Sequence, residues 1–381
     1  MIRISVFRGV ATLAWMIVCL TPGCVLAQES AVWAGDSRAK SAQSSTTSTS
    51  GTGSLVEVDV PAPSLSGNLV GDAERKTALV YLPPSYDRQP DARFPVIYML
   101  HGIFDSPQTW VQFTQLPQRL DALIAAGKIR EAVVVMPDGG NRYGGGYYRN
   151  SPVSGNWADF IAEDLVGLVD QEFRTVPRAG ARAVSGHSMG GYGAIFLGMT
   201  RPDLFGSIYA MSPCCLAPVA DVGQGNQLTW QRALAMRGAE DLQRALEQRD
   251  FWPVAAIGLL AAFSPDPSEP PFHVAFPFQS VRGELVPKEP IYTVWQSRFP
   301  VHQIETYRQN LLQLRALAFD YGVNDQFAHI PLGGRLFAER LAMWRIPHRV
   351  EVFDGDHREL LADRLTEIVL PFLSRSLERS P

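Results

Sequence analysis

A serine between two glycines, in the stretch Gly186-His187-Ser188-Met189-Gly190, stands between a short apolar run and a run with helical apolar spacing. Serine is a weak nucleophile at neutral pH, and this pattern is one that can make it useful. On a sharp strand-to-helix turn the hydroxyl is held clear of the strand, at the positive end of a helix where an anionic intermediate is stabilised. Glycine flanks it because strained backbone angles and close packing leave no room for a side chain. Such a serine needs a histidine to take its proton during attack on an acyl carbon and to return one to the leaving group. The histidine in turn needs a carboxylate to hold its tautomer and stabilise its cation. Two later segments can supply these groups. An apolar run at 317–320 leads into Tyr321-Gly322-Val323-Asn324-Asp325, and another at 350–353 leads into Asp354-Gly355-Asp356-His357. Asp320 and Asp354 are the substitutes for Asp325 as the acid. His101 and His187 are expected to flank and shape the site, and His273, His302, His329 and His348 to be exposed or capping residues.

These side chains can meet only if the elements carrying them end at one edge. Strands are expected at 77–82, 94–100, 132–136, 181–185, 208–211, 317–320 and 350–353, with helices at 116–126 and 157–173 among the intervening segments. Short apolar strands alternating with helices imply a mostly parallel sheet covered on both faces, which binds ligands beyond the carboxyl ends of its strands. Nucleophile, acid and histidine in the order Ser188, Asp325, His357 is the chain order of the α/β-hydrolase fold. An oxyanion needs two backbone donors there. The N–H of Met189, just after the nucleophile, is one, and the loop His101-Gly102-Ile103-Phe104-Asp105 offers the N–H of Ile103 as the other. Phe104, Tyr147, Trp157 and His187 are the candidate substrate contacts; Tyr147 lies in a glycine and aromatic loop, 143–148. Between 216 and 300 the alternation lapses into helical and proline-rich sequence, expected as an insertion lying over the site like a lid.

Residues 1–27, with Arg3 and Arg8 before an apolar stretch and Ala27 at the expected cleavage position, read as a secretory signal peptide. Residues 28–54, rich in Ser, Thr and Gly, read as a flexible linker, and 55–381 as the catalytic domain. The 34 basic and 38 acidic side chains give a net charge of −4 with no basic tract, which argues against a nucleic-acid partner. No later segment is long and apolar enough to span a bilayer, so no stable membrane insertion is expected after cleavage of the signal. Cys19 and Cys24 leave with the signal, and the adjacent Cys214 and Cys215 are expected as two buried, small, apolar side chains. There is no HExxH, paired-cysteine ligand pattern, phosphate loop or dinucleotide fingerprint, and neither a cofactor nor a metal is expected.

Together the motifs VYLPPSYDRQPDARFPVIYMLHG (80–102), GNWADFIAEDLVGLVDQEF (155–173), SGHSMGGYGA (185–194), YGVNDQF (321–327) and GDH (355–357) resemble the landmarks of the esterase D-like serine hydrolases. That group includes S-formylglutathione hydrolases, feruloyl and acetyl esterases, enterochelin esterases and the antigen 85 mycolyltransferases. The resemblance covers much of 80–215 and 316–357. It implies Ser188, Asp325 and His357 as triad, and Ile103 and Met189 as oxyanion donors. The expected activity is that of a secreted or periplasmic serine carboxylesterase acting on a small-molecule or polymer-linked ester. The alternatives are an acyltransferase moving the acyl group to a sugar or lipid hydroxyl, and a non-catalytic binding module on the same scaffold.

Overall fold

The computed structural model describes residues 51–378. The expected signal peptide and all but the end of the expected linker lie outside the described residues. One sheet of eight strands organises the chain: β1 (Ser54–Pro61), β2 (Arg75–Leu82), β3 (Val96–Leu100), β4 (Val133–Pro137), β5 (Arg182–His187), β6 (Ser207–Met211), β7 (Ala316–Gly322) and β8 (Arg349–Phe353). Across the sheet they lie in the order β1-β2-β4-β3-β5-β6-β7-β8. β2 runs antiparallel to both β1 and β4, and every pairing from β4 through to β8 is parallel. This is the mostly parallel sheet expected. Parallel strands covered on both faces have to be apolar along their whole length, and β3, β4 and β6 are buried at every position.

β1 has no counterpart among the expected strands. Its Leu55, Glu57 and Asp59 alternate with Val56, Val58 and Val60, and it pairs over its full length with β2 as an edge strand. The helices that matter for the site are α1 (Leu116–Ala125), α2 (Met189–Thr200), α3 (Phe251–Phe263) and α4 (His329–Met343). The long helix expected at 157–173 is continuous from Trp157 to Glu172 but widens into a π-helical turn over Phe160–Leu165. Tyr98, Trp157, Phe160, Tyr192 and Phe205 fill one face of the sheet, and Trp110, Leu120, Met136, Leu365 and Leu373 fill the other.

One buried ion pair links the layers. Asp320 on β7 accepts from Arg364 Nε and NH2 at 3.0 and 2.7 Å, from the Tyr209 hydroxyl at 3.0 Å and from the Ser212 amide at 3.0 Å. The 216–300 segment folds as helices, among them α3, and a small hairpin of Phe278–Val281 with Glu284–Pro287.

Candidate active site

Ser188 is the single residue between β5 and α2, with φ 57° and ψ −115°. A non-glycine residue at positive φ costs about 1–3 kcal/mol and persists only where its surroundings over-determine it. Here its N–H donates to the Met211 carbonyl at 3.0 Å, and its carbonyl accepts from the amides of Tyr192 at 3.0 Å and Cys214 at 3.1 Å. The two flanking glycines are needed for space. A Cβ on Gly190 would come within 2.0 Å of the Leu100 carbonyl oxygen, and one on Gly186 within 2.4 Å of the Gly190 backbone. A strand, a turn and a helix are thus pressed onto the end of β3, with the serine at the tip.

His357 follows β8, and its Nδ1 lies 2.8 Å from Asp325 Oδ2. With the Nδ1–H donated to the carboxylate, Nε2 is the nitrogen left to accept a proton. Both side chains are shielded from solvent, and the other Asp325 oxygen accepts from the Phe327 amide at 2.9 Å. Shielding strengthens this contact, because the local dielectric is low. The substitute acids are placed elsewhere: Asp320 is consumed by Arg364 and Tyr209, and Asp354 accepts from Asn324 at an exposed position.

The neighbour of Ser188 ties the serine turn to the histidine loop. His187 Nε2 donates to the His357 carbonyl at 2.9 Å, and the two rings lie 4.4 Å apart between centroids. Burial, reinforced by the charge His357 and Arg358 can carry, holds His187 well below the ordinary imidazole range, so it stays a neutral donor. Among the described residues no hydrogen bond joins the Ser188 hydroxyl to His357; serine-to-base contacts of this kind often tighten only when substrate is bound.

The loop after β3 passes directly over the serine: a Cβ on Gly102 would stand 3.4 Å from Ser188 Cβ. The Gly102 carbonyl accepts from His101 Nδ1 at 2.8 Å and from the Asp105 amide at 3.2 Å, and His101 Nε2 accepts from the Gly139 amide at 2.8 Å. In a trans peptide the C=O and the following N–H point in opposite directions. Pinning the Gly102 carbonyl therefore turns the Ile103 N–H the other way. The next amide, of Phe104, is committed to the Gly144 carbonyl at 2.8 Å. The Met189 N–H is in the first turn of α2, where helix donors have no partner within the helix.

The four candidate substrate contacts divide. Phe104 is half-buried and packs its ring 5.2 Å from Phe251 of α3. Tyr147 is buried, with its hydroxyl donating to the Ala255 carbonyl at 3.3 Å. Trp157 is fully buried; its indole N–H donates to Ser154 at 2.7 Å, and its ring occupies the space where a side chain on Gly146 would go, so it supports the glycine loop from behind. His187 faces His357, as described. Other residues at this edge were not singled out from the sequence. Gln326 accepts from the His357 amide at 3.3 Å, Phe327 sets its ring edge-on to His357 at 4.8 Å, and Trp252 packs 5.5 Å from Phe327. Arg358 reaches Asp105 at 3.4 Å, bridging the histidine loop to the loop after β3. Gln326 and Phe327 lie inside the motif 321–327 and Arg358 directly follows 355–357, whereas the place of Trp252 depends on how the 216–300 segment folds back.

A family model described as "Putative esterase" matches residues 73–361. An endo-1,4-beta-xylanase/feruloyl esterase of Xylanibacter ruminicola is 32% identical over 142 residues, 34% of this chain and 18% of that protein. An esterase of Mycobacterium tuberculosis is 31% identical over 209 residues, 50% of this chain and 43% of that one. The chain thus spans less than half the length of the curated relatives it matches. Among solved structures, a ferulic acid esterase superposes with a TM-score of 0.56 at 19% identity, covering 86% of this chain and 99% of the other. The chain belongs to the esterase family that the first of these matches describes, on an α/β-hydrolase fold.

Proposed function

We propose that the protein is a secreted or periplasmic serine carboxylesterase working through an acyl-enzyme on Ser188. His357 Nε2 takes the hydroxyl proton as Oγ attacks the ester carbonyl carbon, Asp325 stabilises the resulting imidazolium, and the amides of Ile103 and Met189 receive the oxyanion. Collapse of the tetrahedral intermediate breaks the bond to the alcohol oxygen, which leaves with the proton from His357. Water then enters, gives its proton to His357 and releases the acid by the same steps. The observation that carries this reading is the shielded contact of 2.8 Å between His357 and Asp325, held beside a strained Ser188 by the His187 bridge. Phe251 and Trp252 of α3, next to Phe104 and Phe327, suit the 216–300 insertion to the role of a cover that excludes water and shapes the acyl pocket.

The test is labelling with a fluorophosphonate probe beside hydrolysis of a series of p-nitrophenyl esters. The wild-type chain is expected to take one label at Ser188 and to turn over esters. Ser188→Ala is expected to lose the label and roughly a millionfold in kcat while keeping its circular dichroism. Hydrolysis retained within a few-fold in that variant would remove Ser188 from the mechanism.

A further inference from the structure

Cys214 and Cys215 are buried and free of a disulfide, and they do not sit among apolar side chains alone, as the sequence suggested. His329, expected at an exposed or capping position, is buried against them at the start of α4. The two sulfurs and a ring nitrogen of His329 all lie within 4.8 Å of one another. The imidazole is oriented from behind: Asp221 Oδ1 lies 2.7 Å from His329 Nδ1 and accepts from the His329 amide at 2.7 Å. That bond commits Nδ1 to the carboxylate and leaves Nε2 as the nitrogen available to a metal. Nε2 is buried and has no hydrogen-bond partner among the described residues, which leaves a polar atom unsatisfied in the interior.

A carboxylate holding one nitrogen of a histidine while the other nitrogen faces thiols is the outer-shell pattern of a metal ligand. Two sulfurs and one imidazole are a soft donor set, suited to Zn(II) or Cu(I) and ill suited to Mg(II) or Ca(II), which take oxygen. We propose that Cys214, Cys215 and His329 form a binding site for one soft closed-shell metal ion, with Asp221 as the carboxylate that orients the histidine. Binding at neutral pH requires deprotonated sulfur. The site lies outside the proposed triad, though the Cys214 amide bonds to the Ser188 carbonyl at 3.1 Å.

The test uses the full chain, reduced with a phosphine and freed of metal with a chelator, then given Zn(II) or, without oxygen, Cu(I). Bound metal is counted by elemental analysis after desalting. Binding of one equivalent of either ion is expected, with Co(II) in place of zinc giving thiolate-to-metal charge-transfer absorption. Cys214→Ser with Cys215→Ser is expected to abolish binding, and Asp221→Asn to weaken it about 10- to 100-fold. Should these variants fail to fold, X-ray absorption on the wild-type zinc complex decides the matter: sulfur scatterers near 2.3 Å are expected. A shell of oxygen and nitrogen only, no retained metal, or undiminished binding by the double variant would overturn the site. None of these readouts involves ester hydrolysis, so the result stands apart from the role proposed for Ser188.

Discussion

At the scale of single residues, the candidate site separates aspartates that look alike in sequence. Asp320 lies inside β7 and Asp325 three residues past its end, yet one is enclosed by Arg364 and Tyr209 and the other meets His357. Asp325→Asn should therefore keep the fold and lower kcat by about ten thousandfold, since an amide favours the wrong imidazole tautomer. Asp320→Asn should leave Arg364 buried without its counter-charge and cost about 3 kcal/mol of stability, with a far smaller effect on turnover. Paired denaturation curves and initial rates check the contrast, and the opposite ranking of rates would move the acid's role to Asp320. His187 yields a pH prediction. Its imidazole is depressed well below the ordinary value in the folded chain, first by burial, whereas in the unfolded chain it titrates near about 6.5. Between those two values the unfolded chain holds the extra proton, so this residue's contribution is intact above about pH 6.5 and is lost as the pH falls toward the folded value. His187→Gln should flatten that part of the stability profile, measured by denaturant melts between about pH 7 and about pH 5. An unchanged slope would mean that the imidazole is not held neutral.

At the scale of elements, the serine turn works because three pieces of backbone approach more closely than side chains permit. A Cβ at Gly190 would meet the Leu100 carbonyl at 2.0 Å, and neither backbone can give way without moving β3 or α2. Gly190→Ala should thus destabilise the chain by several kcal/mol or leave it insoluble, an effect on the scale of a core overpacked beyond relief. Gly167 is the opposite case. It lies within Val166–Glu172, and a Cβ there meets nothing within 4 Å. Gly167→Ala should raise stability by about 0.5–1 kcal/mol through helix propensity alone. Melting the two variants beside the wild type tests whether close approach, rather than glycine as such, is what the turn demands. The loop after β3 follows similar logic: His101, bonded to both the Gly102 carbonyl and the Gly139 amide, holds the peptide that orients Ile103.

At the scale of the whole molecule, the sheet brings residues 102, 188, 325 and 357 to one edge, and α3 reaches the same edge, where Trp252 meets Phe327. Among the described residues no helix is long and apolar enough to cross a membrane. If residues 1–27 direct export as their composition suggests, the protein recovered outside the cytoplasm should begin at Gln28. Terminal sequencing of the fractionated product reads this directly, and an intact Met1 on exported protein would contradict it.

Much of this was already written in the order of the side chains. Strand periodicity, the glycines around Ser188 and the chain order of serine, aspartate and histidine depend on local spacing, and local spacing survives without knowledge of the third dimension. β1 was not among the expected strands: its Leu55, Glu57 and Asp59 alternate with valines, but beside a Ser/Thr/Gly-rich stretch an edge strand reads as the end of a linker. What local spacing could not express were encounters between residues far apart. That Asp325 rather than Asp320 reaches His357, that Trp157 stands behind its loop, and that Trp252 arrives beside Phe327 are settled by packing. The cluster of Cys214, Cys215 and His329 joins residues more than a hundred positions apart, and no ligand motif announces it. Its members look like two small apolar residues and a helix cap until the fold places an aspartate behind the imidazole and two thiols in front.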